Sequence, residues 1–363
     1  MATDVATHEQ QRDAMVGRIF SSMIGSLEIF HVYLGVRLGL YRVLAEKESL
    51  TAGELAKAAG INARYAREWL EEQAVAGFLS VEGDGAETRR YSLPAAHAEV
   101  LLDADNLNYM GAAALQIVGV ASVMSRLVKA FRTGEGIPYE DYGADIREGI
   151  AGANRTMFLN LLGSTWFPKI ADVDARLRRE PPARVADVGC GTGNSSIAIA
   201  KAYPLVRVEG IDLDAASIEE AQTKARAAGV GDRVHFAVRD AGDPSLAGSF
   251  DLVAAFETIH DMTDPVGALK AMREMCADDS VVLVVDERVA EKFTAPGDEI
   301  ERVMYGFSAT HCLAAAMGDP RSAMTGTLMR PSTLRRYAEA AGFDRVEILP
   351  IENDVWRFYR LYA

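Results

Sequence analysis

The amino-acid sequence predicts an α/β protein in which a parallel β-sheet covered by helices follows a mainly helical region. Three observations support this fold class. From residue 181 onward, short apolar runs alternate with amphipathic segments, the pattern of a parallel sheet with helices on both faces. A glycine-rich turn follows the first of these runs. In the preceding part of the chain, residues 17–45 instead place apolar residues three or four positions apart, which is helical spacing, and residues 106–180 also look helical.

Composition agrees with a folded protein of more than one domain. The chain has 363 residues, of which 49% are hydrophobic and 25% charged, and this length suits two cores. Its 38 Lys and Arg residues against 52 Asp and Glu residues give a net charge of −14. Because such a surface repels phosphate backbones and anionic lipids, we expect neither nucleic acid nor a membrane as a partner.

Cysteine usage and the N-terminal pattern predict a cytoplasmic protein. Cys190, Cys276 and Cys312 lie far apart without C-x-x-C spacing, so we expect neither a disulfide framework nor a zinc site. The polar N-terminus lacks the pattern of a signal peptide. The longest apolar stretch, residues 111–124, is too short to cross a bilayer, and no export, anchoring or spanning element is expected.

The N-terminal third predicts a helix-turn-helix with a two-stranded wing. Residues 17–45 form one or two helices whose other faces are also rather apolar, which suggests cover by a partner chain. Thr51 and Glu54 make a capping box for the next helix, and Gly60 ends it. A second helix is predicted over residues 62–76, followed by two short strands around a turn rich in Gly and Asp.

A winged helix of this kind suggests DNA binding, with residues 62–76 as the recognition helix. That helix carries three acidic residues against two basic ones, namely Glu68, Glu71 and Glu72 against Arg64 and Arg67. Since a recognition helix must approach phosphates, we favour a structural or dimerising role. A DNA-binding regulator stays open as the alternative.

We predict that the chain comprises three parts. Residues 1–105 form a winged-helix dimerisation domain, and residues 106–180 form a helical connector with substrate-pocket helices. Residues 181–363 form a ligand-binding α/β domain. The connector is interrupted by a segment rich in Gly, Tyr and Asp at residues 134–143. In the third part we predict strands at 185–188, 206–211, 234–238, 250–256 and 281–285, with helices at 194–203, 215–228 and 264–276.

The first of these strands runs into three alternate glycines, Gly189, Gly191 and Gly193, and then into a helix. Such a turn lets backbone approach a ligand closely. A nicotinamide-binding fingerprint would place glycine at position 194, where Asn194 stands. Asp187 lies two residues before the first glycine, and a carboxylate there suits a cationic ligand better than a pyrophosphate.

Acidic residues also end the next two strands. Asp212, 23 residues after Gly189, can accept hydrogen bonds from both hydroxyls of a ribose. After the third strand, Asp240 beside Ala241 places a carboxylate next to backbone amides, which can recognise an adenine edge. The carboxyl edge of a parallel sheet is where ligands bind in such folds, so we predict the ligand site there.

In order and spacing, these motifs resemble the class I S-adenosylmethionine-dependent methyltransferases from about residue 180 to the C-terminus. The resemblance implies a Rossmann-like domain with a mostly parallel seven-stranded sheet, and S-adenosyl-L-methionine as cofactor. It also implies that Asp187 and the glycines border the methionine moiety, Asp212 holds the ribose, and Asp240 with Ala241 frames the adenine. The full set expected at the cofactor site is Asp187, Gly189, Cys190, Gly191, Gly193, Asp212, Leu213, Asp240, Ala241 and Phe256.

The segment His260-Asp261-Met-Thr-Asp264 after the fourth strand is similar to that of plant-type small-molecule O-methyltransferases, which also begin with a winged-helix dimerisation domain. The resemblance implies a homodimer in which His260 takes the proton from an acceptor hydroxyl, with Asp286 and Asp261 as its acids. A neutral imidazole with a pKa near 6.5 can accept a phenol's proton near neutral pH. The family's second bracketing glutamate has no counterpart at residues 325–330, so a weaker base, a contribution from His311 or a structural role for His260 stays open.

The predicted function is O-methylation of an aromatic or phenolic hydroxyl on a small molecule. The alternatives are N- or C-methylation on the same fold, or a regulator that senses S-adenosylmethionine through its winged helix. Candidate substrate-pocket residues, for which plain core packing is the other interpretation, are Trp166, Phe167, Tyr305, His311 and Met329. No metal site is expected, because neither His-x-x-x-His nor a carboxylate cluster is present.

Overall fold

The computed structural model describes residues 7–362. They form two compact units, one comprising residues up to 118 together with 145–153, the other comprising residues 119–144 and those from 154 onward. The predicted connector, residues 106–180, is thus divided between the two units, because the chain enters the second unit at residue 119 and returns briefly to the first.

The first unit is helical with a small antiparallel wing, as predicted. Thr51 caps its helix through both bonds of the capping box, and Gly60 ends that helix with a left-handed backbone. The two wing strands pair from Ser80 with Ser92 to Glu82 with Arg90. The elements are α1 His8–Arg37, α2 Leu40–Ala45, α3 Ala52–Ala59, α4 Ala63–Val75, β1 Ser80–Glu82, β2 Arg90–Ser92, α5 Ala95–Leu101 and α6 Gly111–Ser122.

Helix α1 is longer than the predicted 17–45 segment at its start. It begins at His8 because Thr7 accepts a hydrogen bond from the Gln10 amide and the Gln10 side chain accepts one from Thr7. Only its C-terminal half contains buried residues, Val32 and Gly35. Most large apolar side chains of the preceding turns are exposed on the chain described here.

By length and composition, α1 is apolar enough to cross a membrane, and α6 together with the following helix passes the same test as a pair. This differs from the expectation that no such segment is present. Six of the exposed apolar residues of α1 alternate at four- and three-residue spacing, namely Val16, Phe20, Met23, Leu27, Phe30 and Leu34, and Met15, Ile19 and Ile24 are exposed beside them. Between residues 15 and 28 the other side carries Gly17, Arg18, Ser21, Gly25 and Glu28, so this part of α1 has one apolar side. Further along the helix, Val32 on that other side is buried in the core of the first unit.

The second unit carries the α/β fold that the sequence predicts. Its helices are α7 Met124–Thr133, α8 Gly143–Met157 (shared with the first unit), α9 Ala171–Leu177, α10 Asn194–Ala202, α11 Ala215–Ala227, α12 Pro265–Met275, α13 Glu299–Phe307, α14 Leu313–Ala316 and α15 Pro331–Ala340. Two π-helical segments, Phe158–Trp166 and Ser308–Cys312, extend α8 and α13. Short 3-10 turns lie at Tyr139–Tyr142, Phe167–Lys169, Pro244–Leu246 and Ile259–Asp261.

A seven-stranded sheet forms the centre of this unit. Its strands are β3 Arg184–Val188, β4 Arg207–Asp212, β5 Val234–Val238, β6 Phe250–Phe256, β7 Cys276–Glu287, β8 Arg345–Ile348 and β9 Trp356–Tyr362. Their order is β5-β4-β3-β6-β7-β9-β8, and β9 is antiparallel to both neighbours. The mostly parallel seven-stranded sheet of the Rossmann-like fold is therefore confirmed.

The sheet is buried on both faces. One core contains α9, α10 and the π-helical segment Phe158–Trp166, and the Trp166 ring contacts both Trp356 and Phe358. The other core packs α12 and α15 on the opposite face, through Leu269, Met272 and Leu334 among others. Because both faces are covered, ligand access is left to the edges of the sheet.

Candidate functional site

The carboxyl ends of β3, β4 and β6 bring the predicted ligand residues to one edge of the sheet. Asp187 pairs with Gly210 of β4 and Ala254 of β6 in parallel register, so the turns after the three strands are neighbours. The glycine loop follows β3 directly and closes onto α10, whose first residue is Asn194. The backbone amides at the start of this helix face the same loop.

The glycines in the loop have different physical roles. A Cβ atom on Gly189 would lie 2.1 Å from Thr258 Oγ1, so this glycine lets the turn after β6 pack against the loop. Gly191 has a φ of +50°, and a Cβ atom added to it would meet no heavy atom within 4 Å, so it borders open space. Its amide donates to Asp212 Oδ2 at 2.8 Å. The loop therefore joins the ends of β3, β4 and β6 and leaves one open side.

Asp187 is a completely buried carboxylate with one unsatisfied oxygen. The hydroxyls of Ser195 and Ser196 both donate to its Oδ2 at 2.5 Å, whereas Oδ1 has no donor within the described part of the chain. Burial raises the pKa of Asp187 to about 6, although the two serines act in the opposite direction. A buried carboxylate oxygen without a donor is costly, and a cationic ligand group would satisfy it.

Asp212 holds the loop and remains able to accept more hydrogen bonds. Its Oδ1 accepts from the Asp214 amide at 2.9 Å, and its Oδ2 accepts from Gly191. Each carboxylate oxygen has a further lone pair, as a diol ligand requires. Burial raises the pKa of Asp212, while the backbone hydrogen bonds lower it. Next to it, Leu213 is 71% exposed.

The remaining predicted cofactor residues line the same edge in different environments. Asp240 is exposed, with Oδ1 bonded to the Gly242 amide at 2.7 Å, and Ala241 is partly buried. Cys190 is buried, and burial raises the pKa of its thiol well above the usual value, so it packs as a neutral side chain. Phe256 is buried at the end of β6, edge-on to Phe158 at 5.3 Å between ring centroids.

His260 lies in the 3-10 turn after β6 and is buried between two aspartates. Asp286, at the end of β7, lies with Oδ1 2.7 Å from His260 Nδ1, and Asp261 Oδ1 lies 3.4 Å from Nε2. Burial alone would lower the pKa of His260, but the charges of Asp261 and Asp286 raise it well above 6.5. The aspartates hold the imidazole in one orientation, with Nε2 on the side of the exposed Asp261.

Two buried carboxyl groups beside His260 were not expected from the sequence. Glu257 follows β6 with a φ of +57°, and Glu287 ends β7. Their carboxyl groups are within hydrogen-bonding reach, and burial raises the pKa of both. Two carboxyl groups can hydrogen-bond to each other only if at least one of them is protonated, and the raised pKa values of both favour protonation near neutral pH.

His311 and Cys312 belong to the π-helical segment Ser308–Cys312. His311 is buried edge-on to Tyr142 at 4.8 Å between centroids, its Nδ1 lies 3.4 Å from Cys312 Sγ, and its Nε2 has no partner among the described residues. Burial lowers the pKa of His311, so its imidazole is neutral near pH 7. Cys312 forms a hydrogen bond with His260.

The other predicted substrate residues lie in three different environments. Trp166 and Phe167 are buried in the first core, where neighbouring aromatic rings account for their positions. Met329 is buried in the second core. Tyr305 is 41% exposed, and its hydroxyl accepts a hydrogen bond from Arg330. The structure therefore brings His311 near His260, and leaves Trp166, Phe167 and Met329 with full core packing.

Two parts of the chain match known protein families. Residues 180–337 match the family of a methyltransferase domain, and residues 27–102 match that of an Rv2258c-like winged helix-turn-helix domain. The expected methyltransferase domain and the expected winged helix are therefore confirmed. The methyltransferase match covers the glycine loop, the ends of β4 to β7 and the His260 turn.

Among curated proteins, the trans-aconitate 2-methyltransferase of Methylobacterium radiotolerans is 29% identical over 188 residues, which are 52% of this chain and 65% of that protein. The chain thus spans slightly less than two thirds of this relative. Among solved structures, mitomycin 7-O-methyltransferase MmcR has a TM-score of 0.69 at 20% identity, covering 97% of this chain and 99% of its own. Human N-acetylserotonin methyltransferase, solved with S-adenosylmethionine, has a TM-score of 0.69 at 15% identity and covers 99% of both chains.

Proposed function

We propose that this chain, which carries a methyltransferase domain behind a winged helix-turn-helix domain, is an S-adenosylmethionine-dependent methyltransferase that methylates a hydroxyl group on a small aromatic molecule. The observation that carries the proposal is the meeting of two sites at one sheet edge. Asp187, the glycine loop and Asp212 suit the cofactor, and His260 with Asp286 suits a proton acceptor. The O-methyltransferases among the structural neighbours support the same assignment.

In this proposal, the chain's own groups bind and orient the cofactor. The unsatisfied Oδ1 of buried Asp187 faces the cationic amino end, and the free lone pairs of Asp212 accept from the ribose hydroxyls. Gly191 keeps the loop open on the ligand side. When bound, the cofactor supplies an electrophilic methyl group on a sulfonium. The protein's main contribution to rate would be positioning, which is worth roughly 7 to 11 kcal/mol in well-oriented reactions.

His260 is proposed to take the proton from the acceptor hydroxyl through Nε2. Asp286 fixes the tautomer by accepting from Nδ1–H, which leaves the lone pair on Nε2. The second acid expected at residues 325–330 is missing from the sequence. Asp261 lies on the Nε2 side of the imidazole instead. Such a base contributes about 10² to 10⁴-fold. His311, with its free Nε2, is proposed to contact the acceptor.

The cofactor assignment is tested by calorimetric titration with S-adenosylhomocysteine. The wild type is expected to bind with micromolar affinity, and Asp212→Ala is expected to lose at least tenfold because the ribose hydroxyls lose their acceptor. The matched control is Asp232→Ala, since Asp232 is an exposed acid of the same unit. Absence of binding by the folded wild type at millimolar ligand would remove the basis of the methyltransferase proposal.

Variants of His260 test whether the methyl group is transferred to oxygen rather than to nitrogen or carbon. With an acceptor found by screening phenols, His260→Gln is expected to lower kcat/KM by at least tenfold, while His235→Gln, an exposed histidine on β5, leaves it unchanged. A smaller loss at His260 favours N- or C-methylation, for which removal of a proton matters less.

We also propose that the protein is a cytoplasmic homodimer formed through α1. Six exposed apolar residues of this helix, from Val16 to Leu34, follow the four- and three-residue alternation of a coiled-coil seam over about five turns. A helix with one apolar side packs against another protein surface, whereas a lipid-facing span is apolar all round. A second copy of this chain offers a matching surface, because a two-fold axis pairs the same patch with itself.

The regulator alternative finds little support in α4. Its basic side chains are engaged by acids, Arg64 with Glu68 and Arg67 with Glu87, while Arg89 of the wing pairs with Glu71. These pairs leave little net positive field for phosphates. A salt-dependent shift of duplex DNA at low ionic strength would revive the alternative.

A further inference from the structure

Three side chains of the types that bind zinc meet at the proposed base, and one of them is distant from the other two in the sequence. His260 and Asp261 come from the 3-10 turn after β6, and Cys312 comes from the end of the π-helical segment about fifty residues later. One ligand atom of each, a nitrogen, an oxygen and a sulfur, lies within 4.8 Å of the other two. Ligand atoms around a tetrahedral zinc ion lie roughly 3.3 to 3.8 Å apart for the usual zinc–ligand bond lengths. His260 Nε2 and Asp261 Oδ1, at 3.4 Å, already have this spacing.

The outer contacts of His260 are those of a metal-binding histidine. Asp286 Oδ1 lies 2.7 Å from Nδ1 and is itself buried. A carboxylate that accepts from the far nitrogen fixes the tautomer and increases the electron density on the near nitrogen, as in carboxylate–histidine–zinc arrangements. The lone pair on Nε2 is thereby directed to the side where Asp261 lies 3.4 Å away.

The surroundings also provide access and exclude bulk water from most of the cluster. His260 and Cys312 are buried, whereas the Asp261 side chain is 43% exposed and marks the entry side. Three protein ligands with a fourth position open is the arrangement of accessible zinc sites. A set containing thiolate and imidazole selects Zn²⁺ and similar thiophilic ions over Mg²⁺ or Ca²⁺, which prefer oxygen.

We propose that His260, Asp261 and Cys312 form a binding site for a thiophilic divalent transition-metal ion, of which Zn²⁺ is the biologically common example. The inhibitory consequence rests on the proposed function: the ion would occupy the same Nε2 lone pair that accepts the substrate's proton. Binding of the ion and acceptance of the proton therefore exclude each other, and Zn²⁺ acts as an inhibitor that binds at the base.

The test uses Co²⁺ as an optical probe on the full-length protein freed of metal by a chelator. The wild type is expected to bind one equivalent of Co²⁺ with thiolate-to-cobalt charge-transfer absorption, and Zn²⁺ is expected to displace it. Cys312→Ser should abolish the charge-transfer band. Cys276→Ser is the matched control, because Cys276 begins β7 and lies outside the cluster, and it should retain the band.

A second pair of variants checks the histidine ligand without an activity assay. His260→Gln is expected to weaken Co²⁺ binding by at least tenfold, and His235→Gln is expected to leave it unchanged. The proposal is overturned if the wild type gives no thiolate band, or if the band survives Cys312→Ser. Because these readouts need no methyl acceptor, the metal site and the proposed function can fail separately.

The inhibitory consequence is measured with the acceptor found in the phenol screen. Zn²⁺ should stop methyl transfer in the concentration range in which it displaces Co²⁺, and a chelator should restore the rate. In Cys312→Ser, inhibition relative to the variant's own metal-free rate should require at least tenfold more Zn²⁺. Methyl transfer that continues with the site filled contradicts the shared use of Nε2.

Discussion

The buried charge of Asp187 lowers the free energy of unfolding of the unliganded protein, and a bound cationic ligand offsets this loss. The pKa of Asp187 is about 6 in the fold, against 3.8 for the free side chain, because the carboxylate is buried. The folded state therefore binds a proton at Asp187 more tightly than the unfolded state does. The resulting loss of stability is absent below pH 4 and reaches its full size above pH 6. A shift of this size corresponds to about 3 kcal/mol of lost stability at neutral pH.

The Asp187→Asn variant distinguishes the effect of this carboxylate on stability from its effect on ligand binding. The amide oxygen can still accept from Ser195 and Ser196 but carries no charge, so at pH 7 thermal unfolding of the unliganded variant should occur at or above the wild-type temperature. Its affinity for S-adenosylhomocysteine should fall at least tenfold, because the ammonium group loses its partner. A variant that is destabilised yet binds normally would make Asp187 a structural residue.

The two aspartates around His260 set the pH range of the proposed reaction. The imidazole accepts a proton only when neutral, and its pKa is raised well above 6.5. Activity should therefore rise with pH through a range above 6.5 and be lost as the pH falls through the raised pKa. This is checked with the pH profile of kcat/KM, which reports the free enzyme.

The pH profile of the Asp286→Asn variant is compared with that of the wild type. Removing this charge makes the imidazolium less stable, so the rise in kcat/KM should move toward acid, while the maximal rate falls because the tautomer is no longer fixed. A wild-type profile that rises at or below pH 6.5, or a rise unmoved by Asp286→Asn, contradicts His260 as the titrating base.

At the scale of elements, the sequence predicts the central strands closely because each is a short apolar run between helices. Strands β5 and β6 have the predicted bounds, whereas β7 begins at Cys276 instead of Val281. The added residues include Asp278, Asp279 and Ser280, which are polar, and Asp279 has a φ of +60°. They pair only through an irregular register beside Phe250, and such tertiary pairing leaves no periodic signal in the sequence.

The candidate site is predictable where its residues are local in sequence. The glycine loop, Asp212 and the His260 turn each leave a motif, since each comes from one strand end. Glu257, Glu287 and Cys312 leave none, because their role depends on β6, β7 and the π-helical segment meeting in space. Helix α1 begins nine residues before its predicted start at residue 17, because Thr7 and Gln10 cap a polar first turn that carries no apolar period.

At the scale of the whole molecule, the exposed seam on α1 predicts an oligomer. Phe20→Glu places a charge in the middle of the seam and should convert a dimer into a monomer in sedimentation velocity. Ser21→Glu adds the same charge on the other side of the helix and should leave the dimer intact. A wild-type monomer at micromolar concentration, or a dimer unaffected by Phe20→Glu, contradicts the proposed interface.

The return of residues 145–153 to the first unit limits how such proteins can exchange parts by recombination. This segment is tied to α1 by Tyr33 with Asp145 and by Arg37 with Asp145 and Glu148, and a Cβ on its Gly149 would meet Gln116 of α6. A chimaera joined at residue 105 would keep this chain's α1 but take residues 145–153 from the other parent. A winged-helix module can therefore be exchanged only if residues 145–153 come from the same parent as α1. A chimaera made with a single crossover in the connector should fold poorly.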